Sequence, residues 1–280
     1  TTPWTLPSNL ALCVNPEETY CKVKCVDGYT YIMAKALLDK VLGPLAEEGE
    51  KAYEILEEYV GKDLEYKEYE PLFACAGEAA EKQKKKAHYV TCDGYVTMDD
   101  GTGIVHMAPA FGEDDNRVCR AYNMPFVQFV DEKGNMTKET PYEGIFVKKA
   151  DPLVLKDLEA EGKLFSAPNF EHEYPHCWRC DTPLIYYARE SWFIRMTAVR
   201  DNLIRNNNTI NWIPESSGKG RFGDWIENVQ DWGISRNRYW GTPLNIWICE
   251  DCGHMHSVGS IAELKELSDN CPEDIELHRP

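Results

Sequence analysis

The chain has 280 residues, 43% hydrophobic and 28% charged, the proportions of an ordinary globular protein with room for one large domain or a medium and a smaller one. No apolar run approaches the ~20 residues of a membrane span, and the start at Thr1-Thr2-Pro3-Trp4 has neither the basic nor the apolar stretch of a secretion signal. A net charge of −17 argues against holding nucleic acid by bulk electrostatics, so any RNA contact has to be local or supplied by a longer chain.

In chain order, Leu10 to Val14 and Thr19 to Val26 read as strands joined by a turn at Asn15-Pro16-Glu17. Tyr31 to Leu42 and Glu47 to Val60 have helical spacing, with Ala52, Ile55, Leu56 and Tyr59 on one face of the second. Lys82-Gln83-Lys84-Lys85-Lys86 is a basic island, either a solvated loop or an RNA contact. His88 to Met98 reads as strand, turn at Asp93-Gly94, strand. Ile104 to His106 is a short strand, Glu113 to Ala121 a helix and Phe126 to Val130 a strand, with a turn over Asp131 to Asn135 after it. Asp151-Pro152 is a helix start, with the acid as cap and the proline in the first turn, running to about Gly162. Beyond Phe165 the composition shifts to His, Cys, Trp and Arg, which places a domain boundary near Pro168: residues 1–168, then a smaller region with less regular structure over 169–280.

Eleven cysteines, an odd number in a long chain, do not resemble a secreted disulfide framework. Cys13, Cys21, Cys25, Cys92 and Cys119 sit in apolar contexts and read as buried, reduced side chains, which implies a cytoplasmic location.

Two separated segments carry candidate chemistry. Thr1-Thr2-Pro3-Trp4-Thr5-Leu6-Pro7-Ser8-Asn9 packs hydroxyls on a backbone stiffened by prolines. It is either a turn capping a strand or a fixed frame of hydrogen-bonding groups. Gly101-Thr102-Gly103 leads to His106, and then to Glu113, Asp114 and Asp115 at the start of a helix. Carboxylates there are stabilised by the dipole and the free amides, so they are helix-start acids or part of a polar pocket. A His and two Asp around a Gly-rich turn can hold an ammonium group and position a water.

The string Thr-Thr-Pro-Trp-Thr-Leu-Pro with Asn9, and about a hundred residues later Gly-Thr-Gly-Ile-Val-His-x-Ala-Pro-x-x-Gly-x-Asp-Asp, resembles the editing domain inserted into isoleucyl-tRNA synthetases. Trp4-Thr5-Leu6-Pro7 sets it apart from the related valyl and leucyl domains. Tyr174 to Cys180, Ser191-Trp192-Phe193 and Asp231 to Gly241 resemble the return of such a chain into the synthetase body. The resemblance implies an α+β fold, with a β-barrel-centred editing domain, peripheral helices and a smaller mixed C-terminal region. It also implies hydrolysis of valine wrongly attached to tRNA(Ile), and possibly of valyl-adenylate. Asp115 would anchor the α-ammonium, Thr2 with Thr1 beside it would contact the ester and place water, and His106 would line the side-chain pocket. Asn9 and Trp4 would lie near the terminal adenosine or support the loop, with Thr5 among the substrate contacts and Asp114 as a partner of the site. Editing would need no cofactor. ATP would concern only a full-length enzyme, since no His-Ile-Gly-His-like or Lys-Met-Ser-Lys-Ser-like string is present. The expected partners are the tRNA(Ile) 3′ end carrying valine and the rest of a synthetase chain, with no membrane and a monomeric state. The start without Met reads as a cut within a longer protein.

Cys177-x-x-Cys180 and Cys249-x-x-Cys252 each have the spacing of half a zinc site, with His172, His176, His254 and His256 nearby. The gap between the pairs far exceeds the ~15–20 residues of a compact four-cysteine site. The resemblance implies two structural zinc sites, each completed by residues outside the chain; one shared site and no metal are the alternatives. Rival readings are valyl or leucyl editing, a freestanding deacylase, and a non-enzymatic zinc-containing RNA-binding module. The cysteine pairs and the Trp/Arg-rich tail favour the last; the net charge and the Thr-rich and His/Asp segments count against it.

Overall fold

The computed structural model describes residues 1–47, 49–168, 173–236 and 244–276. The chain divides into two compact units, Thr1–Ala188 and the segment from Arg189 onward. The stretch from Glu173 to Ala188 therefore goes with the first unit, where Ala188 N–H donates to the Ala110 carbonyl at 2.9 Å.

The first unit is built on two three-stranded sheets. Strand β1 (Ala11–Val14) is central in the first, parallel to β5 (Tyr89–Cys92) and antiparallel to β6 (Ile104–Met107). Leu10 to Val14 is apolar without alternation, as a strand buried on both faces requires; Leu10, Ala11, Cys13 and Val14 have no exposure. In the second sheet β2 (Thr19–Cys25) lies between β3 (Thr30–Ala34) and β4 (Tyr53–Val60), all antiparallel. Here Lys22 and Lys24 alternate with buried Cys21, Val23 and Cys25, the pattern of a sheet with one face in solvent. Neither sheet closes on itself among the described residues, so the expected barrel is replaced by two small sheets. The first sheet's middle strand already has both neighbours, and its outer strands are only four residues long.

Helices flank the sheets: α1 (Leu38–Leu42), α2 (Ala74–Lys82), α3 (Glu113–Ala121) and α4 (Val147–Ala160). The helix expected over Tyr31 to Leu42 keeps only its second half, because its first half is β3. The helix expected over Glu47 to Val60 is β4 instead. Tyr53, Ile55, Tyr59 and Val60 are good strand formers, and the ladder on β2 outweighs local spacing. Ile55 and Leu56, assigned to an apolar helix face, are 40% and 46% exposed. The arm expected after Asp93-Gly94 is absent, since β5 pairs with β1 rather than with the segment after that turn. Phe126 to Val130 forms no strand beyond an isolated bridge from Val130 to Met136. Helix α4 starts one turn before Asp151, which releases that carboxylate from capping it.

In the second unit β7 (Phe193–Ile194) pairs with β8 (Trp232–Gly233), and β9 (Ile246–Ile248) with β10 (Met255–Ser257). Its helices are α5 (Arg200–Asn207), α6 (Ser216–Lys219), α7 (Arg221–Glu227) and α8 (Ile261–Leu267). Helix α8 is capped by Ser260, whose hydroxyl accepts from Glu263 N–H at 3.1 Å. All eleven cysteines are free thiols, and Cys13, Cys21, Cys25 and Cys119 are buried. Burial pushes the Cys13 thiol up to about 11 and Cys119 up to about 12, which keeps both protonated. Among the described residues no helix is long and apolar enough to cross a membrane.

Candidate active site

The Thr-rich segment folds as a 3-10 turn over Pro3–Ser8 that runs directly into β1. Trp4, Leu6 and Pro7 are buried in it, so the hydroxyl string is anchored through its apolar members. Trp4 packs edge-on against Phe111, ring centroids 4.7 Å apart, within the cluster that includes Val147, Ala150 and Val154 of α4. Its backbone N–H donates to Asp151 Oδ1 at 2.9 Å. Asp151, expected as a helix cap, is thus the clamp on this turn. Burial raises its pKa and the Trp4 N–H lowers it, with burial the larger effect.

The turn meets the strand carrying His106. Register places His106 opposite Leu12 of β1, three residues beyond Asn9. Thr5 Oγ1 is 3.0 Å from His106 Nε2, and Asn9 Nδ2 is 2.8 Å from His106 Nδ1. Segments about a hundred residues apart are joined at one imidazole. Burial pushes His106 down to about 4, and the positive Thr1 ammonium adds to this.

Past His106 the chain turns into α3. Asp115, in its first turn, folds back so that Oδ2 accepts from Ala108 N–H at 2.9 Å. Gly112 makes this possible. A Cβ there would lie 2.7 Å from the Asp115 carboxylate carbon, so any side chain would displace the carboxylate. Burial raises the Asp115 pKa, only partly opposed by the Ala108 N–H. Asp114 points elsewhere: Arg117, which grips Asp93 with two bonds of 2.8 and 3.0 Å, also reaches Asp114 at 3.1 Å. Glu113 is exposed at the helix start.

Of the residues singled out from sequence, Thr5, Asn9 and His106 are thus in direct contact, and Asp115 is fastened two residues beyond His106. Thr1 and Thr2 are exposed beside them, and the Thr2 carbonyl accepts from the Thr5 hydroxyl at 2.8 Å. The glycine-rich lead-in serves packing rather than a ligand at Gly103, which has φ +71° and where a Cβ would lie 2.5 Å from Ala34 Cβ. Sequence reading missed Tyr69, whose hydroxyl donates to Asn9 Oδ1 at 2.5 Å, and His88, whose Nε2 is 3.1 Å from the Asn9 carbonyl. No local signal marks either, since both reach Asn9 only through the fold. A cavity of about 600 Å³ lined by Asp39, Ala52 and Tyr53 contains none of these side chains.

The cysteine pairs sit on tight turns of the same form. Cys177 N–H donates to the Thr182 carbonyl and Asp181 N–H to the Cys177 carbonyl, both at 2.8 Å; Cys249 N–H donates to the His254 carbonyl and Gly253 N–H to the Cys249 carbonyl, both at 2.9 Å. Asp181 and Gly253, each directly after the second cysteine, have positive φ. Hydrogen bonds lower the thiol pKa of Cys180, chiefly from Thr182, and of Cys249, chiefly from the Cys252 backbone. Each turn fits two corners of a tetrahedral thiolate site. Among the described residues no third ligand joins either turn. His176 Nδ1 is 2.9 Å from the Tyr174 carbonyl and His256 Nε2 is 3.3 Å from Glu263. His172 and Asn237 to Gly241 lie outside the described residues.

The sequence pattern of the class I tRNA synthetases for I, L, M and V matches residues 17–278. The chain belongs to that family. Along its whole length it is 53% identical to an isoleucine–tRNA ligase of Clostridium novyi and 46% identical to one of Bacillus thuringiensis, in each case covering 26% of the relative. The chain therefore spans about a quarter of the length of these curated relatives. Among solved structures it is similar to the cytosolic leucyl-tRNA synthetase editing domains of P. knowlesi (TM-score 0.41, 18% identity, 58% of this chain and 80% of that one) and P. falciparum (TM-score 0.42, 16% identity, 57% and 74%).

Proposed function

We propose that this chain is the proofreading part of an isoleucine–tRNA ligase, and that the site around His106 hydrolyses valine esterified to tRNA(Ile). The observation that supports this most is the junction of the Thr-rich turn with the His/Asp segment at one imidazole, through Thr5 and Asn9. In this reading residues 1–168 are the editing domain and 169–280 lead back toward the synthetase body.

The need for such a site is physical. One methylene separates isoleucine from valine and is worth about 1–3 kcal/mol in an apolar pocket, a figure for which isoleucyl enzymes are themselves the standard illustration. A second, smaller pocket then removes what the first cannot reject. Asp115 commits one oxygen to Ala108 N–H and uses the other for the α-ammonium of the valyl ester. The exposed hydroxyls of Thr1 and Thr2 place a water at the ester carbonyl. Water adds to that carbon, the bond to the ribose oxygen breaks, and the proton ends on the ribose hydroxyl, leaving valine and free tRNA. Both His106 ring nitrogens are occupied by protein partners, so the imidazole shapes the pocket rather than removing the proton. A neighbouring ribose hydroxyl of the substrate is the remaining aid to the water. Zinc, held by the two cysteine turns and completed by further chain, would be structural; when bound it cross-links distant segments.

The test is deacylation of Val-tRNA(Ile) and Ile-tRNA(Ile) by this chain and by the full-length ligase, each with Asp115→Ala. Losing one partner of a partly buried charge pair costs about 2–5 kcal/mol, so hydrolysis of the valyl ester should fall at least about thirtyfold. Undiminished proofreading by the full-length variant would sink the assignment.

A further inference from the structure

The hydrogen bonds around His106 form a chain whose direction is imposed by groups that can only accept. Asn9 Nδ2 faces the Ala11 carbonyl at 2.9 Å, so the amide presents its N–H₂ on that side. The same nitrogen is 2.8 Å from His106 Nδ1, which must then be unprotonated. At the far end the Thr5 hydroxyl donates to the Thr2 carbonyl at 2.8 Å. Its lone pair therefore faces His106 Nε2 at 3.0 Å, which must carry the hydrogen. A 180° turn of the Asn9 amide would set its oxygen against the Ala11 carbonyl and cost the bond that Oδ1 accepts from the Tyr69 hydroxyl at 2.5 Å, so the two groups together oppose it.

We propose that Tyr69 is a positioning residue of this site: its hydroxyl, together with the Ala11 carbonyl, holds the Asn9 amide in the one orientation that keeps His106 uncharged with its proton on Nε2. Tyr69 is well placed to do so. Its backbone N–H donates to the His88 carbonyl at 3.1 Å, and its ring meets the His88 ring edge-on at 5.7 Å. Burial raises the Tyr69 phenol pKa, so it remains a donor. The other titratable groups at the network are His88, pushed down by burial and so uncharged, and the free ammonium this chain has at Thr1, which acts against a charged His106. The consequence for function rests on the editing reading. An imidazolium two residues from the Asp115 mooring would repel the ammonium of an aminoacyl ester, and the network prevents it from forming.

The ring state is measurable without substrate. Long-range proton–nitrogen NMR on this chain, with the His106 signals assigned by their loss in His106→Asn, should show a hydrogen on Nε2 and a bare Nδ1. In Tyr69→Phe the amide is held by the Ala11 carbonyl alone, so a turned fraction should place a hydrogen on Nδ1 and the titration midpoint should rise by roughly 0.5–1 pH unit, the size of one net hydrogen bond. A hydrogen on Nδ1 in the parent chain overturns the proposal and needs no variant to be folded. So does a Tyr69→Phe ring with unchanged tautomer and midpoint. Deacylation by full-length ligase carrying Tyr69→Phe separates the two readings. A ring response together with a rise in the acid limb of the deacylation profile supports both. A ring response in a ligase whose proofreading Asp115→Ala leaves intact keeps the positioning role and removes the editing site.

Discussion

The two units differ in how large a core they bury, although both carry exposed aromatics, Trp178 and Tyr186 of the first being 77% exposed. The first packs apolar side chains into a core: Trp4, Leu10, Tyr20, Met107, Val147 and Val154 are at most 4% exposed, and Thr5, Asn9, His106 and Tyr69 are joined by hydrogen bonds. The second leaves them in solvent: Ile213 is 89% exposed, Trp225 62%, Phe193 60% and Trp232 59%, while Ile226, Val229, Val258 and Leu264 are the buried hydrophobics among its described residues. Contiguous exposed apolar surface is where another body can dock. A site built on the first unit rests on the larger of the two cores.

Paired glycine substitutions sharpen this contrast most. Gly112→Ala drives a methyl into the Asp115 carboxylate. A displacement of about 1 Å at a reacting site costs on the order of a hundredfold, so Val-tRNA(Ile) hydrolysis should drop by roughly that factor with the unfolding temperature nearly unchanged. Gly218→Ala places its Cβ 2.0 Å from the Trp212 ring in the second unit. Overpacking of that kind costs about 1–3 kcal/mol, and it should appear in denaturant melts while the His106 NMR signals stay in place. Equal effects of both on hydrolysis would break the contrast.

A graded effect is expected on acidification. His106 has a folded pKa of about 4 against 6.5 unfolded, so between those values the unfolded chain binds the extra proton. Stability contributed by the neutral ring is complete above pH 6.5 and should fall by at most about 1.4 kcal/mol per pH unit down to pH 4. The slope should be absent in His106→Asn, as read from urea melts across that range. The smallest effect belongs to Asp114→Ala. Its bond to Arg117 is exposed, such pairs are worth about 0–1 kcal/mol, and Arg117 keeps Asp93. Both melting and hydrolysis should stay close to the parent, and a large loss of hydrolysis would return Asp114 to the site.

Helix α3 was legible from sequence with its bounds, because acids at its start and apolar spacing along it agree. Strand β1 was legible because its unbroken apolar run is too short for a helix and stops at the turn residues Asn15-Pro16. Strand β4 was not, since Ala52, Ile55, Leu56 and Tyr59 satisfy a helix locally and only the edge of β2 overrules them. Asp151 shows the same limit at the level of one side chain. As a residue before proline it looks like a cap, yet the helix begins earlier and the carboxylate serves Trp4, 147 residues away.

By itself the sequence determined which residue types could do the chemistry, since hydroxyls on a proline-stiffened turn and acids at a helix start are local facts of the chain. It also determined the chain's family through the order and spacing of those strings. The tertiary structure alone decided that Thr5 and Asn9 meet at His106, that Asp114 turns away to Arg117, and that Tyr69 completes the network. The first and last depend on hydrogen bonds between distant segments, and the second on Asp93, 24 residues away, holding Arg117 beside Asp114; such pairings are selected by the packing of the whole unit rather than by any stretch of its sequence.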